Sequence, residues 1–258
     1  MTFLFDQTVF GPVISRRLGV SLGINLLPNN RKWCNFDCLY CECGWNPLGN
    51  QMKVQLPTRA EVAEKLEVKL QEMQQAGQLP DVITFAGNGE PTMHPDFVAI
   101  MDDTLALRGR YCPQARISVL SNATMLHKPG IVGALRKVDQ NILKLDSGLT
   151  DTLLFLNRPT HPVTAEGIAT LIKQFEGRCI IQTLFVRGSF QGRKVDNTTQ
   201  EELQAWIRLV REAGPSMVMI YTIDRDTPAR DMHKVPVEEL QLIAREVEAL
   251  GIPVQISG

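Results

Sequence analysis

The chain alternates short, continuously apolar runs with longer stretches whose apolar residues recur every three or four positions. The short runs fall at 22–27, 82–86, 117–121, 142–146, 180–186, 217–222 and 254–256. Most are apolar at consecutive rather than alternate positions, the pattern of strands buried on both faces. The stretches between them carry helix signals. Thr58 and Glu61 form a capping box, Val62, Leu66, Leu70 and Met73 make one stripe, and Gly77 is the stop. Thr198 and Glu201 repeat the box ahead of Leu203, Trp206, Ile207 and Val210, with a stop at Gly214. Pro236 suits a first helical turn, Leu240, Ile243, Val247 and Leu250 follow as a stripe, and Gly251 ends it. His94-Pro95 and Thr164 open two further helices, and Pro129 a short third.

Strands alternating with helices imply parallel pairing through right-handed crossovers. A partial (β/α)6 barrel and a flat doubly wound sheet write a similar string, and periodicity does not separate them. In both, ligands gather beyond the carboxyl ends of the strands. With no repeat, low-complexity segment or linker, the expectation is one domain over 1–258. The segment 28–57 breaks the pattern. It is rich in Asn, Gly, Pro and Cys, and so long a loop in a compact domain is usually functional.

Composition narrows this little. Of 258 residues, 44% are hydrophobic and 21% charged, with a net charge of −1, which draws the chain neither to nucleic acid nor to a membrane. No apolar run is long enough for a bilayer, and the start MTFLFDQTVFG lacks the pattern of a signal peptide. A reducing cytoplasm is expected, and there clustered cysteines suggest metal.

Four of the six cysteines, Cys34, Cys38, Cys41 and Cys43, crowd into the long loop, whereas Cys112 and Cys179 stand alone and read as packing residues. Three thiolates spaced C-x3-C-x2-C face a common point if the backbone wraps around it, as in iron–sulfur sites. Three ligands on four irons leave one iron open to a small molecule. The alternative is structural zinc, within a zinc-binding interaction module. Zinc sites normally pair ligands from separated segments, and no second Cys or His pair appears among the four histidines. Cys43 is left open between a substrate-facing thiol and a spare.

The C-x3-C-x2-C spacing, with Tyr40 before its last cysteine, resembles the signature of the radical S-adenosylmethionine (SAM) superfamily. The resemblance implies a partial (β/α)6 TIM-like barrel and a 4Fe-4S cluster on Cys34, Cys38 and Cys41. It implies SAM on the open iron, split to methionine and a 5′-deoxyadenosyl radical that abstracts hydrogen from a substrate. An external electron donor of the flavodoxin or ferredoxin type is implied too. Gly87-Asn88-Gly89-Glu90 follows a predicted strand and resembles the superfamily's GGE motif, which holds the SAM ammonium group, with Asn88 replacing the middle glycine. By the same resemblance Tyr40 packs near the adenine, and Asn122 and Asp146 lie near the ribose or carboxylate. Ser121, Lys144, Gln182, Thr183, Tyr221 and Thr222 also sit at predicted strand ends, as SAM or substrate contacts or as satisfied polar groups.

Segments 11–19, 21–25, 144–146, 157–159, 182–185 and 221–225 resemble a subgroup related to wyosine-synthesising, tRNA-modifying enzymes. Those enzymes carry further cysteines ahead of the SAM motif, and none precedes Cys34 here. The substrate is therefore expected to be a small molecule, a peptide or RNA, with no membrane partner. Arg16 and Arg17 read as a phosphate- or carboxylate-binding pair, a solvated pair or neutralising charges. His94 and His127 read as a helix-start residue and a surface residue.

Overall fold

The computed structural model describes residues 3–15, 19–47 and 54–257. In chain order the elements are β1 (Val9–Ser15), β2 (Gly19–Ile24), α1 (Arg59–Gln75), β3 (Val82–Phe85), α2 (Phe97–Tyr111), β4 (Arg116–Ser121), α3 (Pro129–Leu135), β5 (Gln140–Lys144) and α4 (Thr150–Asn157). There follow α5 (Ala165–Lys173), β6 (Ile180–Leu184), β7 (Val186–Phe190), β8 (Arg193–Asp196), α6 (Gln200–Ala213), β9 (Met217–Tyr221), β10 (Asp231–Lys234), α7 (Val237–Glu248) and β11 (Val254–Ser257).

Eight strands form one sheet in the order β1-β2-β3-β4-β5-β6-β9-β11. Every pairing from β2 to β11 is parallel, and β1 is antiparallel to β2. This order settles the choice that periodicity left open. A doubly wound sheet reverses its strand order at a switch point. Here order in space follows order in sequence, as in an open, partial TIM-like barrel of six βα strands, β2 to β6 and β9, extended by β11 and by β1.

The apolar runs are strands because both their faces are covered. Leu22, Ile24, Ile83, Phe85, Val119, Leu143, Ile181 and Ile220 are buried on one face, and Val82, Ile142, Ile180 and Met219 on the other. The helices turn their stripes onto this sheet, and Val62, Leu66, Leu70 and Met73 of α1 are buried together. The box predicted at Thr58 and Glu61 forms in full.

The strands predicted at 22–27 and 142–146 lie earlier, at Gly19–Ile24 and Gln140–Lys144, and two further predictions shift. The cap of α6 is Thr199, whose hydroxyl accepts from Glu202 N, rather than Thr198. Thr198 is drawn off by Asp196 and Arg187, and the Glu202 carboxylate turns inward to Ser147 Oγ at 2.8 Å and Gly148 N at 3.2 Å. The run 180–186 is not one strand. Asn197 ends it, accepting from Val186 N at 2.8 Å and donating to the carbonyls of Leu184 and Asp146 at 2.7 Å. The chain then leaves for a small antiparallel sheet, β10-β7-β8, that periodicity did not signal. Helix α4 also went unpredicted, being short and starting at Leu149 without a side-chain cap. Among the described residues no helix is long and apolar enough to cross a membrane.

Candidate active site

The cysteine loop and the 87–90 turn are stitched together by backbone. Trp33 N donates to Asn88 O at 2.8 Å, and Glu90 N to Trp33 O at 3.3 Å. Two glycines make the approach possible. A Cβ on Gly89, at φ +145°, would meet Trp33 O at 1.9 Å, and one on Gly87 would meet Asn25 Oδ1 at 2.3 Å. From the other side, the end of α4 grips the loop: Asp37 N and Leu39 N donate to the carbonyls of Asn157 and Leu156, each at 2.9 Å.

These contacts enclose a cavity of about 320 Å³ at the carboxyl ends of the strands. Cys34, Cys38, Cys41 and Cys43 all line it, as do Tyr40, Gly87, Gly89, Glu90, Ser121, Asn122, Lys144, Gln182, Tyr221 and Thr222. Polar N–H groups point at two of the sulfurs. Cys34 Sγ accepts from Phe36 N at 3.3 Å and Asn122 Nδ2 at 3.7 Å, and Cys38 Sγ accepts from Asn157 Nδ2 at 3.3 Å. The Cys43 thiol donates to Gly87 O at 3.4 Å.

Beneath the sulfurs lies Lys32, its side chain only 1% exposed. Its ammonium donates to Asp37 Oδ1 at 3.2 Å and Gly44 O at 3.1 Å, closing the loop on itself. Burial alone would discharge it, but Cys41, Cys38, Cys34 and Asp37 outweigh burial and hold its pKa above the ordinary lysine range. The field acts in reverse on the thiols. Burial pushes Cys34 and Cys38 up, with Lys32 opposing it. Cys41 goes down, because the Cys43 hydrogen bond and then Lys32 outweigh burial. Sequence reasoning missed Lys32, whose importance comes from a burial that no local pattern signals.

The other expected residues divide by where their side chains point. Glu90 is buried at the wall and accepts from Asn122 N at 2.6 Å, Thr92 N at 3.0 Å and the Thr92 hydroxyl. Burial still holds its pKa above the usual carboxylate range. Asn122 faces the loop, donating to Asn35 Oδ1 at 2.7 Å as well as to Cys34. The Asn88 side chain turns away from the cavity. Its amide donates to Phe5 O and Pro28 O, each at 2.8 Å, and its oxygen accepts from Phe5 N at 2.9 Å. The asparagine in the middle glycine's place thus anchors the amino-terminal segment.

Asp146 stands behind the cavity wall rather than on it. Its carboxylate accepts from the Tyr40 hydroxyl, Asn157 Nδ2 at 2.8 Å and Leu184 N at 2.9 Å, with Lys144 Nζ at 3.5 Å. Lys144 is the neighbour that reaches the cavity. It lies 5.2 Å from the Tyr40 ring centre and bonds Tyr221 Oη at 3.3 Å. Burial opposes its charge, but Asp146, Tyr221 and Cys38 hold its pKa above the ordinary range. Thr183 faces the helix layer and bonds Leu145 O. His94 packs at the start of the segment leading to α2, and His127 is at the surface. Cys112 and Cys179 are in the core. Arg16 and Arg17 lie outside the described residues.

The Radical SAM superfamily model matches residues 32–190, more than half of the chain and a span holding the cysteine loop, the 87–90 turn, Asn122 and Asp146. The chain belongs to the radical SAM superfamily.

A protein named GTPase Obg from Brachyspira hyodysenteriae is 27% identical over 95% of this chain, and a UPF0026 protein from Helicobacter pylori is 29% identical over 84%. The chain spans about a third of the first protein's length (34%) and 66% of the second's. In fold it is similar to a radical SAM methyltransferase from Sphaerobacter thermophilus, at a TM-score of 0.66 and 15% identity, covering 92% of this chain and 65% of that one. The archaeal TYW1 structure is also similar, at a TM-score of 0.53 and 13% identity over 89% of this chain and 71% of that one, a likeness of fold alone.

Proposed function

We propose that this chain is a radical SAM enzyme core in which Cys34, Cys38 and Cys41 hold a 4Fe-4S cluster and SAM binds between that cluster and the 87–90 turn. The observation that carries the reading is the single cavity on which these three cysteines, Gly87, Gly89 and Glu90 meet. The donor set fits such a cluster: closely spaced thiols, N–H donors on two of the sulfurs and a buried ammonium beside a group that is anionic overall. A single zinc ion is the poorer fit, since among the described residues no three Cys, His, Asp or Glu side chains converge tightly enough to hold one metal ion.

Held by Cys34, Cys38 and Cys41, such a cluster would supply the one-electron reduction that splits SAM and so provides the radical chemistry. The protein's own part is to bind, orient and shield. The backbone of Gly87, Gly89 and Glu90 receives the methionyl end, with the Asn88 backbone holding the turn against Trp33. Tyr40 and Asn122 border the nucleoside side. Asp146 acts indirectly, fixing Tyr40 and Lys144. The chain works as one domain in the cytoplasm, with a flavodoxin- or ferredoxin-type donor.

The substrate is a small molecule or peptide in the favoured reading. A tRNA nucleoside is the second, supported by the motif resemblance at 144–146, 157–159 and 221–225. Net charge of −1 offers little phosphate affinity, so an RNA complex that survives moderate salt would favour that second reading.

Anaerobic reconstitution with iron, sulfide, reductant and SAM tests the reaction. Brown protein that makes 5′-deoxyadenosine is expected, with loss of both properties in Cys34→Ala. Fully reconstituted, SAM-bound protein that makes none would overturn the reading.

A further inference from the structure

Cys43 is the thiol in this cavity to which the superfamily signature gives no role. It is neither in the core, like Cys112 and Cys179, nor on the open surface. It lines the same cavity as the three signature cysteines, with Cys41 two residues away on one side. On the other side it donates to Gly87 O at 3.4 Å. It therefore occupies space between the proposed cluster and the turn proposed to receive the methionyl end of SAM.

We propose that Cys43 is a displaceable fourth ligand, closing the cluster's open iron while SAM is absent and yielding that iron when SAM binds. The inference rests on the reading that Cys34, Cys38 and Cys41 hold a 4Fe-4S cluster.

Reach allows it. Residues two apart span up to about 7 Å between Cα atoms, enough for neighbouring irons of one cluster. The turn is built to present the side chain inward: Gly44 N donates to Cys41 O at 2.9 Å, Gly44 sits at φ +81°, and Lys32 pins Gly44 O. Displacement is also cheap. A ligated thiolate has no proton for Gly87 O, and the amine of SAM, a much stronger donor than a thiol, satisfies that carbonyl as it takes the iron. The exchange balances without any change of oxidation state. On ligation the Cys43 thiol passes its proton to water and its sulfur bonds the fourth iron. On SAM binding, the amino nitrogen and carboxylate oxygen of SAM take that iron, the iron–Cys43 bond breaks, and the thiolate regains a proton. A four-thiolate cluster carries one more negative charge than a three-thiolate one, so it is harder to reduce. Cys43 would thus hold back reduction and iron loss until SAM is in place.

The test compares reconstituted wild type with Cys43→Ala and Cys43→Ser, the serine keeping a donor for Gly87 O while ligating iron poorly. Each is treated with one equivalent of ferricyanide, with and without SAM. Iron content and the paramagnetic signal of a three-iron cluster are then read. Without SAM, wild type should keep its fourth iron while both variants lose it. Both variants should also bind SAM more tightly by about tenfold, as when removal of a closed state populated about 90% of the time frees the site. Equal iron loss and equal SAM affinity in all three proteins would overturn the proposal while leaving the cluster intact. Failure of wild type to bind any cluster would instead overturn the reading beneath it.

Discussion

Asn157 donates a hydrogen bond to the sulfur of Cys38, 3.3 Å away, from 119 positions further along the chain. The same amide group donates to Tyr40 Oη at 3.0 Å and Asp146 Oδ2 at 2.8 Å. N–H groups on cluster sulfurs stabilise the more negative, reduced state. A hydrogen bond of about 1 kcal/mol corresponds to about 40 mV in a one-electron couple. Asn157→Leu should therefore lower the reduction potential by about that amount, read by redox titration of the reconstituted protein.

Lys32 should matter more, because it carries a full charge and is buried. At an effective dielectric near 20, a unit charge a few ångströms away is worth up to about 4 kcal/mol. Lys32→Met should lower the cluster potential on the order of 100 mV, and Lys32→Arg should restore part of the shift. If Lys32 only braced the loop, Met would reduce cluster content while leaving the potential of the surviving clusters unchanged.

Tyr40→Phe tests the support behind the cavity wall. It removes the hydroxyl that bonds Asp146 and accepts from Asn157 while keeping the ring under Lys144. A hydrogen bond to a buried carboxylate is worth about 1.5–3 kcal/mol, and denaturant unfolding should show a loss in that range. Retention of full stability would mean that the remaining donors to Asp146 suffice.

Asn88→Gly restores the residue usual at the middle of the motif. It removes three side-chain hydrogen bonds to Phe5 and Pro28 and adds backbone freedom to the unfolded chain. A loss of about 3 kcal/mol is expected, or roughly 5–12 °C in Tm. SAM affinity should change far less, since the cavity is bordered at this turn by Gly87, Gly89 and Glu90. An equal collapse of SAM affinity would place the Asn88 side chain in the binding site after all.

By itself the sequence determined the elements whose signals are local. The capping box at Thr58, the stripe from Val62 to Met73 and the apolar strand runs each needed only neighbouring residues, so periodicity and cap chemistry reported them. The cysteine spacing and the 87–90 turn were legible for the same reason, as each is one short segment. Strand order was not legible, because two sheet topologies share one alternating pattern and long-range pairing alone separates them. Neither was the division of labour in the site. Asp146 and Asn88 look like contacts in sequence, yet tertiary packing turns them onto Tyr40 and Phe5. Lys32 looks unremarkable and Asn157 stands out only within the 157–159 resemblance, yet burial beside the cysteines makes one a counter-charge and the other a hydrogen-bond donor to a sulfur. Local chemistry writes which groups a segment offers. Only the folded chain decides which way they point and how much water they keep, and those two quantities set hydrogen bonding and charge.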